Sequence, residues 1–263
     1  MNKPTLTQEV VLPSKGLLNP EIPGGKITQR CMMVYDQKYL SGSAAADNGL
    51  RRLIKETSVS PETLDVGKLT VPDTLFLLFK LRSLSYGEHL KYNTQCPRCG
   101  RDFTADVEIS KIEVTDLDPD YEKELCIELP VRGDKVHTRI LLNRDLDYIN
   151  EELDRLRSRG ADTEGLDYIL RISRMITRID LKEPNADDET YLDNPDDIRK
   201  YVQDMTDYDA TAILSTVENI TFGIHDTVET KCTHCNREVT VPLVLNPNFF
   251  RPKYDVRHKG SNR

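Results

Sequence analysis

The residues with chemistry in them are four cysteines in two equally spaced pairs, Cys96-Pro97-Arg98-Cys99-Gly100 and Cys232-Thr233-His234-Cys235-Asn236. A CxxC turn aims two sulfurs at one point. A structural zinc takes four ligands in tetrahedral geometry, so one turn supplies half a site. The simplest closed site joins Cys96, Cys99, Cys232 and Cys235 around one Zn2+ per chain. Other readings stay open at this point. Two separate sites could be completed by His89 and His225, although each lies seven residues before its first cysteine, an atypical finger spacing. A redox CxxC normally opens a helix after a strand. Disulfides call for an oxidising compartment, and MNKPTLTQEVVLPSKG has no apolar segment of the signal-peptide kind. A four-thiolate site is coordinatively closed, so it builds architecture and leaves no position for substrate.

Each pair sits between strand-like runs, KYNTQ and DFTADVEI around the first, TVETK and EVTVPLVL around the second. Both therefore read as zinc knuckles on β-hairpins. Gly100 and Asn236 follow the turns and tolerate the left-handed backbone a knuckle needs. His234 is expected to face solvent. Cys31 and Cys126 stand alone in apolar runs and read as small core residues.

The chain also matches itself. At an offset of 136 positions, 69–109 aligns with 205–245 without a gap and with ten identities. These include Thr70/Thr206, Asp73/Asp209, Leu78/Leu214, Gly87/Gly223, His89/His225 and Arg101/Arg237, besides both cysteine pairs. Upstream, GKITQRCMMVYDQKYL (25–40) resembles DKVHTRILLNRDLDYI (134–149) at an offset of 109. An LPxxG turn precedes each, at Leu12–Gly16 and Leu129–Gly133. The two offsets differ by 27, so the second half carries about that many extra residues between 150 and 204.

The elements follow. KITQRCMMV alternates as a strand. Residues 48–56, 144–158 and 166–179 read as amphipathic helices. Thr70 with Pro72 starts another helix, with Leu75, Leu78, Phe79 and Arg82 along one face, and Asp73/Asp209 support the helix starts. Gly87 and Gly223 are placed as helix stops. The expected fold is α+β and internally duplicated: two pseudo-symmetric repeats, 1–118 and 119–250, joined by a split zinc ribbon, with a polar tail over 251–263.

Several function classes drop out. The chain carries no G-x-x-x-x-G-K-[ST], G-x-S-x-G, H-E-x-x-H or Rossmann glycine pattern, and we expect no enzyme. No apolar run approaches the ~20 residues of a membrane span. The net charge of -8 argues against a phosphate-binding face, and the acidic run 185–197 reads as a solvated loop.

The opening VVLPSKGLLNPEIPGGKITQR and the stretch LTVPDTLFLLFKLRSLSYGEHLKYNTQCPRCG resemble the T-even-type baseplate protein family of contractile-tailed phages. The likeness is close over about residues 10–110. Beyond them it rests on LPVRG and the second knuckle. It implies a non-enzymatic role in virion morphogenesis, as a baseplate hub component or a hub and tail assembly chaperone, with other hub or tail proteins as partners. It places the protein in the host cytoplasm during assembly, or in the virion baseplate. The family's two knuckles map onto Cys96/Cys99 and Cys232/Cys235. The competing expectation is a zinc-ribbon adaptor that binds nucleic acid or a polymerase.

Overall fold

The computed structural model describes residues 6–40, 46–183, 190–225, 227–243, 245 and 249–250. Strand β1 (Thr7–Val11) runs antiparallel to β2 (Lys26–Arg30), which also pairs with β3 (Ser58–Ser60). Between β2 and β3 lie a 3-10 turn (Val34–Leu40) and helix α1 (Ala46–Thr57). Helix α2 (Val71–Tyr86) leads into the hairpin β4 (His89–Gln95) and β5 (Asp102–Glu108). A short strand, β6 (Val114–Thr115), closes the first half.

The second half runs in the same order. Strands β7 (Cys126–Glu128) and β8 (Lys135–Thr138) precede helices α3 (Asn143–Ser158) and α4 (Leu166–Met175). Strands β9 (Ile176–Asp180) and β10 (Tyr191–Leu192) complete a sheet of order β10-β9-β8-β7. Helices α5 (Pro195–Gln203) and α6 (Asp207–Glu218) and strand β11 (Gly223–Ile224) lead to the hairpin β12 (Thr227–Lys231) and β13 (Glu238–Pro242). The result is a mixed α+β architecture. No helix among the described residues is long and apolar enough to cross a membrane.

Several contacts recur in both halves. Val10 pairs with Ile27 as Ile127 pairs with Val136. The ladder slips between Thr28 and Gln29 in one sheet and between His137 and Thr138 in the other. Arg30 pairs with Asp36 at 2.7 Å, and Arg139 with Asp145 at 2.7 Å. Each of these carboxylates also accepts a backbone N–H three residues back, from Met33 or Leu142. Positions making the same contacts are offset by 109 at Arg30/Arg139, by 118 at Ser58/Ile176 and by 136 at Thr70/Thr206. The extra residues therefore enter in two places, one lengthening α3 and one adding β10 and most of α5.

Thr70 and Thr206 cap α2 and α6, each accepting the N–H of the aspartate three residues on. Those aspartates do more than answer the helix dipole. Asp73 accepts the Ser14 N–H at 3.1 Å and Asp209 the Val131 N–H at 2.9 Å, so each ties a helix start to its LPxxG turn. Burial raises the Asp73 carboxyl above the usual carboxylate range, against the hydrogen bonds from Ser14 and Thr70 that favour its charge.

The largest core packs Leu77, Phe79 and Leu81 of α2 against residues of both hairpins, including Val107, Val239 and Val241. Phe249 returns to this core with its ring centroid 4.9 Å from that of Phe79. A second core, around Val136, Ile172, Ile179 and Ile213, belongs to the second half alone.

Four expectations change. Helix α4 ends at Met175, and Ile176–Asp180 is strand: Ile176 and Ile179 keep a spacing of three that suits a helix, but pairing to β8 on one side and β10 on the other wins. Helix α6 stops at Glu218, before Gly223, whose added Cβ would meet Pro72 Cβ at 2.7 Å. That glycine serves a close approach rather than a helix stop. Cys31 and Cys126 are half-buried, outside the core. The acidic stretch 185–197 is not simply a loop. Tyr191–Leu192 is strand and Asn194 caps α5, while 184–189, like the tail 251–263, lie outside the described residues.

Asp145 gives a test of this framework. It is fully buried, and Arg139 and Arg174 both reach it, Arg174 at 2.6 Å. Burial opposes its charge, but the hydrogen bonds from Arg139, Leu142 and Arg174 outweigh that and hold its pKa at about 2, below the ordinary aspartate value of 3.8. A depressed carboxylate contributes stability above its unfolded value and loses it as pH falls through the folded one. Acid titration monitored by urea unfolding should therefore show a loss that begins below pH 3.8 and completes near pH 2. Asp145→Ala should cost about 3 kcal/mol at neutral pH and remove that acid-sensitive component.

Candidate metal centre

Both knuckles close in the same way. The Cys96 N–H donates to Arg101 O at 2.9 Å, and the Gly100 N–H to Cys96 O at 2.9 Å. In the second hairpin Cys232 donates to Arg237 O at 3.0 Å and Asn236 to Cys232 O at 2.9 Å. The residue after each second cysteine has a left-handed backbone, φ 69° at Gly100 and 54° at Asn236. Asn is one of the few side chains that visit this region readily.

The hairpins bring the two turns face to face. All four Sγ atoms lie within 4.8 Å of one another. Cys96 Sγ is 3.8 Å from Cys235 Sγ, and Cys99 Sγ is 3.8 Å from Cys232 Sγ. The first cysteine of each knuckle thus meets the second of the other, as a local twofold arrangement requires. A tetrahedron with metal–sulfur bonds of about 2.3 Å has edges of about 3.8 Å, so the donor set fits a four-thiolate ion. Cys96 and Cys232 are buried, Cys235 half-buried and Cys99 exposed.

The thiols compete for charge. Burial would raise Cys96, but the Cys99 and Arg98 N–H groups outweigh it and bring the thiol down to about 7. The Arg101 N–H favours a Cys99 thiolate, yet burial and the neighbouring thiols push it up to about 11. A divalent cation at the centre relieves the competition, because its charge favours the thiolate form at all four positions.

The histidines are used elsewhere. His89 Nδ1 contacts Asp106 at 3.1 Å, and His225 Nε2 contacts Thr115 Oγ1 at 2.9 Å, both at the hairpin ends away from the knuckles. His234 is exposed in its turn, as expected, and its Nε2 lies 3.0 Å from Asp102 O of the other hairpin. It helps hold the hairpins together, a role its position inside the CxxC did not disclose. Arg101 and Arg237 are exposed, and it is their backbone carbonyls that close the knuckles.

A sequence comparison identifies the wider group. The family model described as T4 bacteriophage base plate protein matches residues 8–251. The chain belongs to that family. The match takes in both halves of this baseplate protein and all four cysteines, well beyond the first-half stretch in which the motifs are densest. Among curated proteins and solved structures nothing matches it.

The geometry separates ligands from bystanders. Cys235→Ser should abolish stoichiometric metal binding by the purified baseplate protein, whereas His234→Ala should leave it unchanged, measured as metal released to a chromogenic chelator after thiol modification. Equal retention by both variants would remove Cys235 from the site.

Proposed function

We propose that this chain is a non-enzymatic morphogenesis protein of a contractile-tailed phage. It acts in the baseplate hub, as a resident component or as a chaperone that brings hub or tail subunits together. Its halves, 1–118 and 119–250, are copies of one α+β unit, and a structural zinc at Cys96, Cys99, Cys232 and Cys235 forms their seam as a split zinc ribbon. It works in the host cytoplasm during assembly, with other hub or tail proteins as partners and no small-molecule substrate.

The observation that carries this reading is the pairing of the sulfurs across the halves, joined to membership in a baseplate family. A four-thiolate ion is closed to substrate and water, so its contribution is to folding. Zinc binding contributes about 10–16 kcal/mol in finger peptides. Typical domain stability is about 5–15 kcal/mol. An ion of that strength decides whether two hairpins separated by so much chain dock at all, since loop closure grows only logarithmically with length.

The purified chain should contain one zinc. Cys96→Ser should expose both halves to limited proteolysis, including 205–245, because the site is shared. Protection of 205–245 in a zinc-free Cys96→Ser chain would sink the shared seam. Pull-down from infected cells should recover hub or tail subunits. Tight nucleic-acid binding with a steep salt slope would instead favour the adaptor reading.

A further inference from the structure

The four clustered cysteines are not equivalent toward solvent. Cys99 is exposed, Cys235 half-buried, and Cys96 and Cys232 are buried. A small oxidant arriving from solution therefore meets Cys99 first. Cys31 and Cys126, also half-buried, stand outside the cluster.

What lies beside Cys99 decides the outcome. Its Sγ is 3.8 Å from that of Cys232 on the other hairpin, and Cys96 meets Cys235 at the same 3.8 Å. Both contacts run from one half to the other. A disulfide has an S–S bond of about 2.0 Å, so only a small approach is needed. The two sulfurs of one knuckle ride on a single turn, braced by the bonds from Cys96 to Arg101 and from Gly100 to Cys96, or by their counterparts at Cys232. Drawing those two together deforms the turn. Cys99 and Cys232 ride on separate hairpins, and a slight shift of one hairpin against the other brings them into bonding range. The contact of His234 Nε2 with Asp102 O, at 3.0 Å, spans the same junction without using a sulfur.

We propose that Cys99 and Cys232 are a redox modification site: an oxidant of the hydroperoxide class joins them in a disulfide that takes over from the metal as the link between the halves. The inference takes its starting state from the four-thiolate zinc reading. The Cys99 thiolate attacks one oxygen of hydrogen peroxide. The O–O bond breaks, leaving a sulfenic acid on Cys99 and a hydroxide. The Cys232 thiolate then attacks that sulfur. An S–S bond forms, the S–O bond breaks and a second hydroxide leaves. The two thiolates together lose two electrons, the peroxide gains them, and two protons from solvent turn the hydroxides into water. Cys96 and Cys235 are left as two ligands, half of what a structural zinc takes, so the ion departs.

The exchange suits a seam that is built in one compartment and used in another. Reducing cytoplasm keeps thiolates and metal in place, whereas oxidising surroundings make the link covalent. Cys99 and Cys232 are 133 positions apart, so the bond ties together the two halves and not one hairpin. A cross-link over so long a loop removes much of the freedom of the unfolded chain.

The test uses the purified full chain, loaded with zinc and freed of reductant, treated with a small molar excess of hydrogen peroxide and then blocked with iodoacetamide. One zinc should pass to a chromogenic chelator as one disulfide forms, and non-reduced peptide mapping should join the Cys99 peptide to the Cys232 peptide. After a proteolytic nick between the knuckles, the oxidised chain should run as one band without reductant and as two with it. The Cys31→Ser, Cys126→Ser double variant should behave identically. A first-formed disulfide within either knuckle, a first link between Cys96 and Cys235, or zinc retained with every thiol still reduced overturns the proposal. Any of those results on a zinc-loaded chain leaves the zinc seam standing. A chain that holds no metal as purified, yet forms the Cys99–Cys232 bond, counts against the zinc seam and upholds the disulfide.

Discussion

Four sulfur atoms within 4.8 Å of one another cannot all carry charge in a partly buried place unless a cation sits among them. The hairpins that deliver them are otherwise two-stranded ribbons, which are marginal alone in water. Each gains support on its inner face, where Phe103, Ala105 and Val107 of one and Val239 and Val241 of the other enter the largest core. The sulfurs and that core lie on the same two hairpins. Whatever brings the thiolates together also brings the apolar faces together.

Within each half a different contact fixes the geometry. A buried carboxylate, Asp73 or Asp209, accepts from the helix-capping threonine and from a distant turn at once. A single side chain thereby sets the angle between the long helix and the first strand pair. The Arg30–Asp36 and Arg139–Asp145 pairs do the same for the turn after the second strand. Polar groups of this kind add little net stability over an apolar packing, but each is satisfied in only one arrangement. The same two devices in each half thus accompany the same local architecture in sequences that differ at most other positions.

Much of this was legible in the sequence, for physical reasons. Cysteine spacing is dictated by the turn that presents the thiols, so the candidate ligands could be read directly. Thr70 and Thr206 announced helix starts because a cap is a local contact. What stayed hidden depends on partners distant in sequence. ILRISRMITRI suits a helix throughout, and only pairing with β8 turns Ile176–Asp180 into strand. The reason for Gly223 is Pro72, far away in the chain. Asn143 reads as an ordinary helix-start residue until its amide is seen against Val66 and Thr74. The link from His234 to Asp102 likewise exists only once the hairpins face each other.

The extra residues in the second half explain why two such similar units behave differently. Where the first half makes a 3-10 turn at Val34–Leu40, the second continues into the sixteen-residue α3. That helix starts at Asn143, whose amide bonds hold it against Val66 and Thr74 of the first half, and its Leu146 and Ile149 line one cavity with Leu75 and Leu78 of α2. The short turn has no such helix to press it down. Added sequence on the other side, in α5, gives the second half a core of its own around Ile198 and Val202. Asymmetry therefore enters through length rather than through the shared contacts. Outside the shared contacts the two halves differ in surface, with Met33, Val34 and Tyr35 exposed in the first and Asp207 and Tyr208 exposed in the second.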